Sequence, residues 1–104
     1  MTVNNINIPD NKLRSICRKY SIKELSLFGS ALRSDFNPDS DIDFLIEFNK
    51  NAGISLFDLV DLKEELELLL KREVDILSKK SIEKSRNYIR KKAILENYQV
   101  IYAA

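Results

Sequence analysis

The chain has 104 residues, of which 44% are hydrophobic and 32% charged, with a net charge of +1. That size and balance fit one ordinary globular domain over 1–104 and exclude a disordered or low-complexity chain. No apolar run approaches the ~20 residues a membrane span needs, and the opening MTVNNINIPDNK has neither the basic start nor the apolar centre of an export signal, so a cytoplasmic protein without membrane contact is expected.

Pro9-Asp10-Asn11 can start a helix, and Leu13, Ile16, Cys17 and Tyr20 then recur at i, i+3, i+4 and i+7. One amphipathic helix to about Tyr20 follows. Cys17, the only cysteine, falls on its apolar stripe and reads as a buried thiol, which excludes a disulfide within the chain. Lys23 to Phe28 alternates, with Leu25 and Leu27 on one side, and stops at Gly29 as a strand does at a turn residue. Ser30 to about Asp35 reads as a helical turn, and Asn37 to Ser40 (NPDS) as a turn cluster.

Asp41 to Phe48 is the clearest strand. Ile42, Phe44, Ile46 and Phe48 share one face, and Asp41, Asp43, Leu45 and Glu47 the other. After a loop at Asn49 to Gly53, Ser55 and Asp58 form a variant capping box for a helix running to about Lys71 or Arg72. Leu59, Leu62, Leu66, Leu69 and Leu70 make its buried stripe, whereas Leu56, Phe57 and Val60 lie off it and suit a second, partner-facing surface. Glu73 to Leu77 is a short strand bearing Asp75. Ser81 is placed as the cap of a last helix to about Leu95, and Tyr98 to Tyr102 as a closing strand. The expected order is αβαβαβαβ.

The absence of histidine removes the commonest general base, the Ser-His-Asp triad and most zinc sites. Chemistry must then run on carboxylates, hydroxyls, amines or hard metal ions. Asp41 and Asp43 sit two apart on one strand face, with Cα atoms about 6.6 Å apart at a rise of roughly 3.3 Å per residue. Their carboxylates, brought to about 4 Å, repel by about 4 kcal/mol at an effective dielectric of 20, and a third carboxylate adds to this. A hard octahedral cation, Mg²⁺ or Mn²⁺, is the compensation that oxygen ligands favour. The plainer alternative is that the two aspartates merely begin a wetted edge strand. Upstream, Gly29-Ser30 after a strand offers free backbone N–H groups and a hydroxyl to a phosphate, and Arg33, one helical turn on, can support that contact. Residues 79–104 hold 7 basic and 2 acidic side chains against 10 and 14 in residues 1–78. The basic run at 79–92 reads as a solvated helix face or as a surface for an anionic partner or polyphosphate.

Together, Gly29-Ser30-x-x-Arg33 followed by Ser40-Asp41-x-Asp43 resembles the signature of the polymerase-beta-like nucleotidyltransferases. The short chain, with Asp75 in a later strand, is similar to the minimal nucleotidyltransferases in particular. Leu32 and Ser34 stand where that group commonly has alanine and glycine. The resemblance implies an α/β (α+β) fold, a mixed sheet flanked by helices, and two-metal transfer of a nucleoside monophosphate. It also implies roles: Asp41 and Asp43 as ligands of both Mg²⁺ ions, Asp75 as ligand of one and acceptor of a proton, Gly29 and Ser30 as holders of the terminal phosphates, and Arg33 as their support. It further implies ATP as substrate and an antitoxin function, in which AMP passes to a tyrosine of a partner HEPN-type ribonuclease toxin. The alternative is an antitoxin that neutralises its partner by contact alone. Direct nucleic-acid binding is disfavoured, because the basic segment has Tyr88 as its only aromatic residue.

Overall fold

The structure is a computed structural model and describes residues 1–34, 36, 37 and 39–104. Asp35, at the end of the expected helical turn, and Pro38, in the expected NPDS turn, lie outside the described residues.

A hairpin precedes the first expected element. Strands β1 (Thr2–Val3) and β2 (Ile6–Asn7) pair antiparallel. Asn4 (φ 48°) and Asn5 (φ 67°) make the turn between them. Asparagine tolerates the left-handed region, and two such residues in succession give a turn whose twist matches that of the flanking strands. Helix α1 (Asp10–Lys19) follows, burying Leu13 and Cys17 as its spacing predicts. Burial pushes the Cys17 thiol up to about 12, so the group is inert.

Strand β3 (Ile22–Phe28) runs into a 3-10 turn at Gly29–Leu32, and β4 (Ile42–Phe48) returns antiparallel to it. The turn is tighter and shorter than the helical turn expected from Ser30 onward. Helix α2 (Leu56–Leu70) carries the expected capping box, with Ser55 and Asp58 satisfying each other's backbone N–H. It ends on Lys71 in the left-handed conformation. Strand β5 (Val74–Ser78) then lies parallel to β4, with α2 as the crossover.

The expected last helix is two. Helix α3 (Lys79–Glu83) is capped by the Ser78 side chain, which accepts from the Ser81 N–H. Helix α4 (Tyr88–Glu96) is capped by Asn87. Two local hydrogen-bond acceptors thus start two helices where the basic run read as one, and Ser81 is inside the first of them. Strand β6 (Tyr98–Ala103) closes the sheet. The order across it is β5-β4-β3-β6, so β4 is interior and not the edge strand of the plainer alternative, although Asp41, just ahead of it, is exposed.

The two faces of the sheet are packed unequally. On one, Leu25, Leu27, Ile42, Phe44, Ile46 and Val74 form the main core with Leu13 and Cys17 of α1 and Leu62, Leu66 and Leu70 of α2. On the other, a small cluster of Phe28, Leu45, Ile82 and Ile94 seats α3 and α4. Asp43 shares that thinner face with Leu45. Leu56, Phe57 and Val60 are exposed, as their places off the α2 stripe predict. Among the described residues, no helix is long and apolar enough to cross a membrane.

Candidate active site

The site is assembled at the end of β3 and the start of β4. Gly29 has φ +66°, a conformation that suits glycine, and the space matters as much as the angle. A Cβ there would stand 2.6 Å from Asp43 Oδ2. The bare backbone therefore lets the turn close against the carboxylate. The Ser30 N–H donates to that carboxylate, and the Ser30 hydroxyl donates to the Asp41 carbonyl at 3.1 Å. Ala31, fully buried, anchors the turn in the main core.

Asp43 is the centre of the arrangement. It lies opposite Phe28 on β3 and opposite Asp75 on β5. Register neighbours on parallel strands put their side chains on the same face, with backbones about 4.8 Å apart. Asp41, two residues earlier, sits just ahead of the strand on that side. Asp43 is half-buried, while Asp41 and Asp75 are exposed. Burial, then the charges of Asp75 and Asp41, hold the Asp43 carboxyl above the usual carboxylate range; the Ser30 N–H and the Arg90 charge oppose them.

The three expected carboxylates are thus brought to one neighbourhood from β4 and β5. Among the described residues they do not already form a cluster tight enough to enclose a metal ion. The donor set nonetheless suits a hard divalent cation: three carboxylates with no histidine or cysteine, the central one half-buried and repelled by the other two.

Three contributors escaped the sequence reading. Asn4 Nδ2 donates to the Ala31 carbonyl at 3.0 Å and the Arg33 carbonyl at 2.9 Å, so the N-terminal hairpin latches the turn after Gly29. The Asn-Asn pair between two short apolar segments was the available signal. Arg72 donates to the carbonyls of Asn37 and Ser40 and lies over the Phe36 ring at 4.3 Å, bracing the loop that delivers Asp41. Arg90, hidden within the basic run, is the third. It lines a cleft of about 830 Å³ with Gly29, Leu32, Arg33, Ala93 and Tyr98. Arg33 therefore reaches the cleft from the turn, and Arg90 from α4.

The profile of the nucleotidyltransferase domain family matches residues 10–101. The chain belongs to that family. This nucleotidyltransferase domain is 47% identical over 78 residues to a candidate protein adenylyltransferase of Methanocaldococcus jannaschii, covering 75% of this chain and 82% of that protein. Among solved structures it is similar to a minimal nucleotidyltransferase at 30% identity and a TM-score of 0.65, over 86% of this chain and 84% of that one. A chain of a toxin-antitoxin assembly with AMP-PNP shares the fold at 16% identity and a TM-score of 0.68, over 93% of this chain and 75% of the other. The mixed sheet flanked by helices is the minimal nucleotidyltransferase fold.

Proposed function

We propose that this nucleotidyltransferase transfers AMP from ATP to a tyrosine hydroxyl of a partner HEPN-type ribonuclease toxin and so neutralises it. The observation that carries the reading is Asp43, held between Gly29 and the in-register Asp75 beside an open cleft. The choice of adenylate and of a protein acceptor is supported by the Methanocaldococcus jannaschii relative, named for protein adenylylation. The partner is supported by the toxin-antitoxin assembly of the same fold, which contains an ATP analogue.

In this reading the turn after β3 binds the terminal phosphates through the Gly29 to Ala31 backbone and the Ser30 hydroxyl, with Arg33 in support. Asp41, Asp43 and Asp75 would hold two divalent cations, Mg²⁺ or Mn²⁺, which when bound supply charge stabilisation to the attacking and leaving oxygens of an in-line displacement. Asp75, exposed and in register with Asp43, takes the proton of the acceptor hydroxyl. The tyrosine oxygen forms a bond to the α-phosphorus, the α–β anhydride bond breaks, and pyrophosphate leaves. Asp43, half-buried and accepting from the Ser30 N–H, would be the least water-exposed of the three ligands.

The test is incubation of the chain with its co-expressed partner, Mg²⁺ and α-labelled ATP. Label should appear on a partner tyrosine, and Asp41→Asn or Asp43→Asn should abolish it while the fold persists. Label that survives either substitution refutes the roles given to these carboxylates. The second reading, neutralisation by contact alone, is favoured by the exposed Leu56, Phe57 and Val60 on α2. It predicts that Asp43→Asn leaves the toxin neutralised although transfer is lost.

A further inference from the structure

A nucleoside triphosphate is polyanionic, and three carboxylates already make this site negative. Fixed cations on the protein must therefore share in holding the phosphates, and the basic segment at 79–92 offers several. The fold sorts them. Lys79 pairs with Glu47 at 3.8 Å and lies over the Tyr98 ring at 5.7 Å. Lys91 donates to the Glu83 carbonyl at 2.8 Å. Lys80, Lys84, Arg86 and Lys92 are exposed and do not line the cleft. Arg90 does line it. Its guanidinium makes no hydrogen bond or ion pair of its own among the described residues, although its charge reaches Asp43.

The geometry of α4 explains why this one residue is singled out. Asn87 caps the helix by accepting from the Arg90 N–H at 3.1 Å, which sets where the first turn begins. Arg90, Ala93, Ile94 and Asn97 then fall at i, i+3, i+4 and i+7, on one stripe, and all four line the cleft. Ile94, buried with Phe28 and Leu45, bolts that stripe to the sheet beneath the site. The helix is thereby fixed in rotation, with Arg90 at the end of the stripe whose charge is felt by the central carboxylate.

We infer that Arg90 is a substrate-binding residue of this domain, contacting the phosphates of the nucleoside triphosphate from the α4 wall of the cleft while Gly29 and Ser30 hold them from the turn. The inference rests on the nucleotidyl-transfer reading above and deepens it, by assigning the wall that the Gly-Ser motif leaves unassigned. Without nucleotide, the Arg90 charge partly offsets the strain on Asp43. With nucleotide bound, the same guanidinium serves the phosphates. A guanidinium suits both because its planar fork can meet carboxylate or phosphate oxygens in pairs. Lys80, Lys84, Arg86 and Lys92 are left as a solvated surface.

Equilibrium binding by calorimetry of α,β-methylene-ATP with Mg²⁺ tests this without requiring turnover or a partner. Arg90→Ala should weaken binding about tenfold or more, the loss expected for one charge-assisted contact. Arg90→Lys should recover part of the loss. Arg86→Ala and Lys92→Ala, which remove equal charge from the same segment, should stay within about twofold of the parent. Binding of AMP should change little in Arg90→Ala, because most of the phosphate charge is missing from that probe. A merely structural role would instead weaken AMP and the triphosphate by the same factor, and that result overturns the inference. So does an Arg90→Ala loss no greater than that of Arg86→Ala. If the parent chain binds no triphosphate at all, the transfer reading falls together with this one. If parent and Arg90→Ala bind it equally, the transfer reading stands and only the role of Arg90 is lost.

Discussion

Gly29 and Asp43 are fitted to each other so closely that a single methyl group on Gly29 would lie 2.6 Å from the Asp43 Oδ2. The positive φ of Gly29 adds a second objection to any side chain there. Gly29→Ala should therefore cost about 1–3 kcal/mol of stability, through left-handed strain and displacement of the carboxylate. Nucleotidyl transfer should fall much further, because the turn proposed to hold the phosphates and the central carboxylate move together. Chemical denaturation alongside a labelled-ATP transfer assay would separate the two losses. A Gly29→Ala protein with parental transfer would show that this contact does not shape the site.

Asp43 is kept where it is destabilising when the site is empty. Its carboxyl titrates above the usual range because of burial and the charges of Asp75 and Asp41. A raised carboxyl contributes stability that is present at low pH and lost as the pH rises through its folded value, so at neutral pH the ionised group works against the fold. Asp43→Asn removes the charge and keeps an oxygen to accept from the Ser30 N–H. Thermal melts without divalent metal at pH 7 should show the variant higher by a few °C, the shift that about 1 kcal/mol gives a domain of this size. Transfer should be abolished in the same variant. The gain should vanish when the melts are repeated well below the ordinary carboxylate range.

Tyr20 and Glu65 tie the end of α1 to α2 by a hydrogen bond in which the tyrosine donates, and Lys19 adds bonds of 3.2 Å to both Glu65 oxygens. The Tyr20 bond, partly offset by burial and reinforced by Lys19, holds the Glu65 carboxyl below its usual range. A lowered carboxyl contributes stability above its unfolded value and loses it as the pH falls through the folded value. Tyr20→Phe should therefore cost about 1–2 kcal/mol near pH 7, and the gap to the parent should narrow below about pH 4. Urea titrations across that range give the answer directly. A gap that stays constant with pH would mean the tyrosine contributes packing alone.

Asn4 reaches across from the N-terminal hairpin to the carbonyls of Ala31 and Arg33. Asn4→Gly keeps the left-handed turn while deleting both bonds. A loss of about 1–2 kcal/mol is expected for two such contacts in a partly exposed setting. Amide hydrogen exchange at residues 30–34 should speed up, with weaker triphosphate binding as the consequence. Unchanged exchange there would dissociate the hairpin from the site.

Short-range order was legible along the chain. The alternation at Ile42, Phe44 and Ile46, the Ser55–Asp58 box and the apolar stripes of α1 and α2 all recur in the structure, because each depends only on residues within a turn or a strand of one another. The Gly29-Ser30 and Asp41-x-Asp43 spacings carried the family for the same reason. The division of the basic run into two helices was visible only as cap residues, Ser78 and Asn87, competing with helical charge spacing.

Which strands become neighbours, and in what register, is a different kind of question. Asp75 faces Asp43 only because β5 joins β4 in parallel after a long crossover, a pairing chosen by burial of the whole apolar face and by no local pattern. The Arg90 position beside the carboxylates follows from Ile94 packing on Phe28 and Leu45. The identities of the acidic and glycine residues were settled by local sequence; their convergence, and the cation set against them, were settled by long-range packing, where side chains far apart in the chain compete for one core.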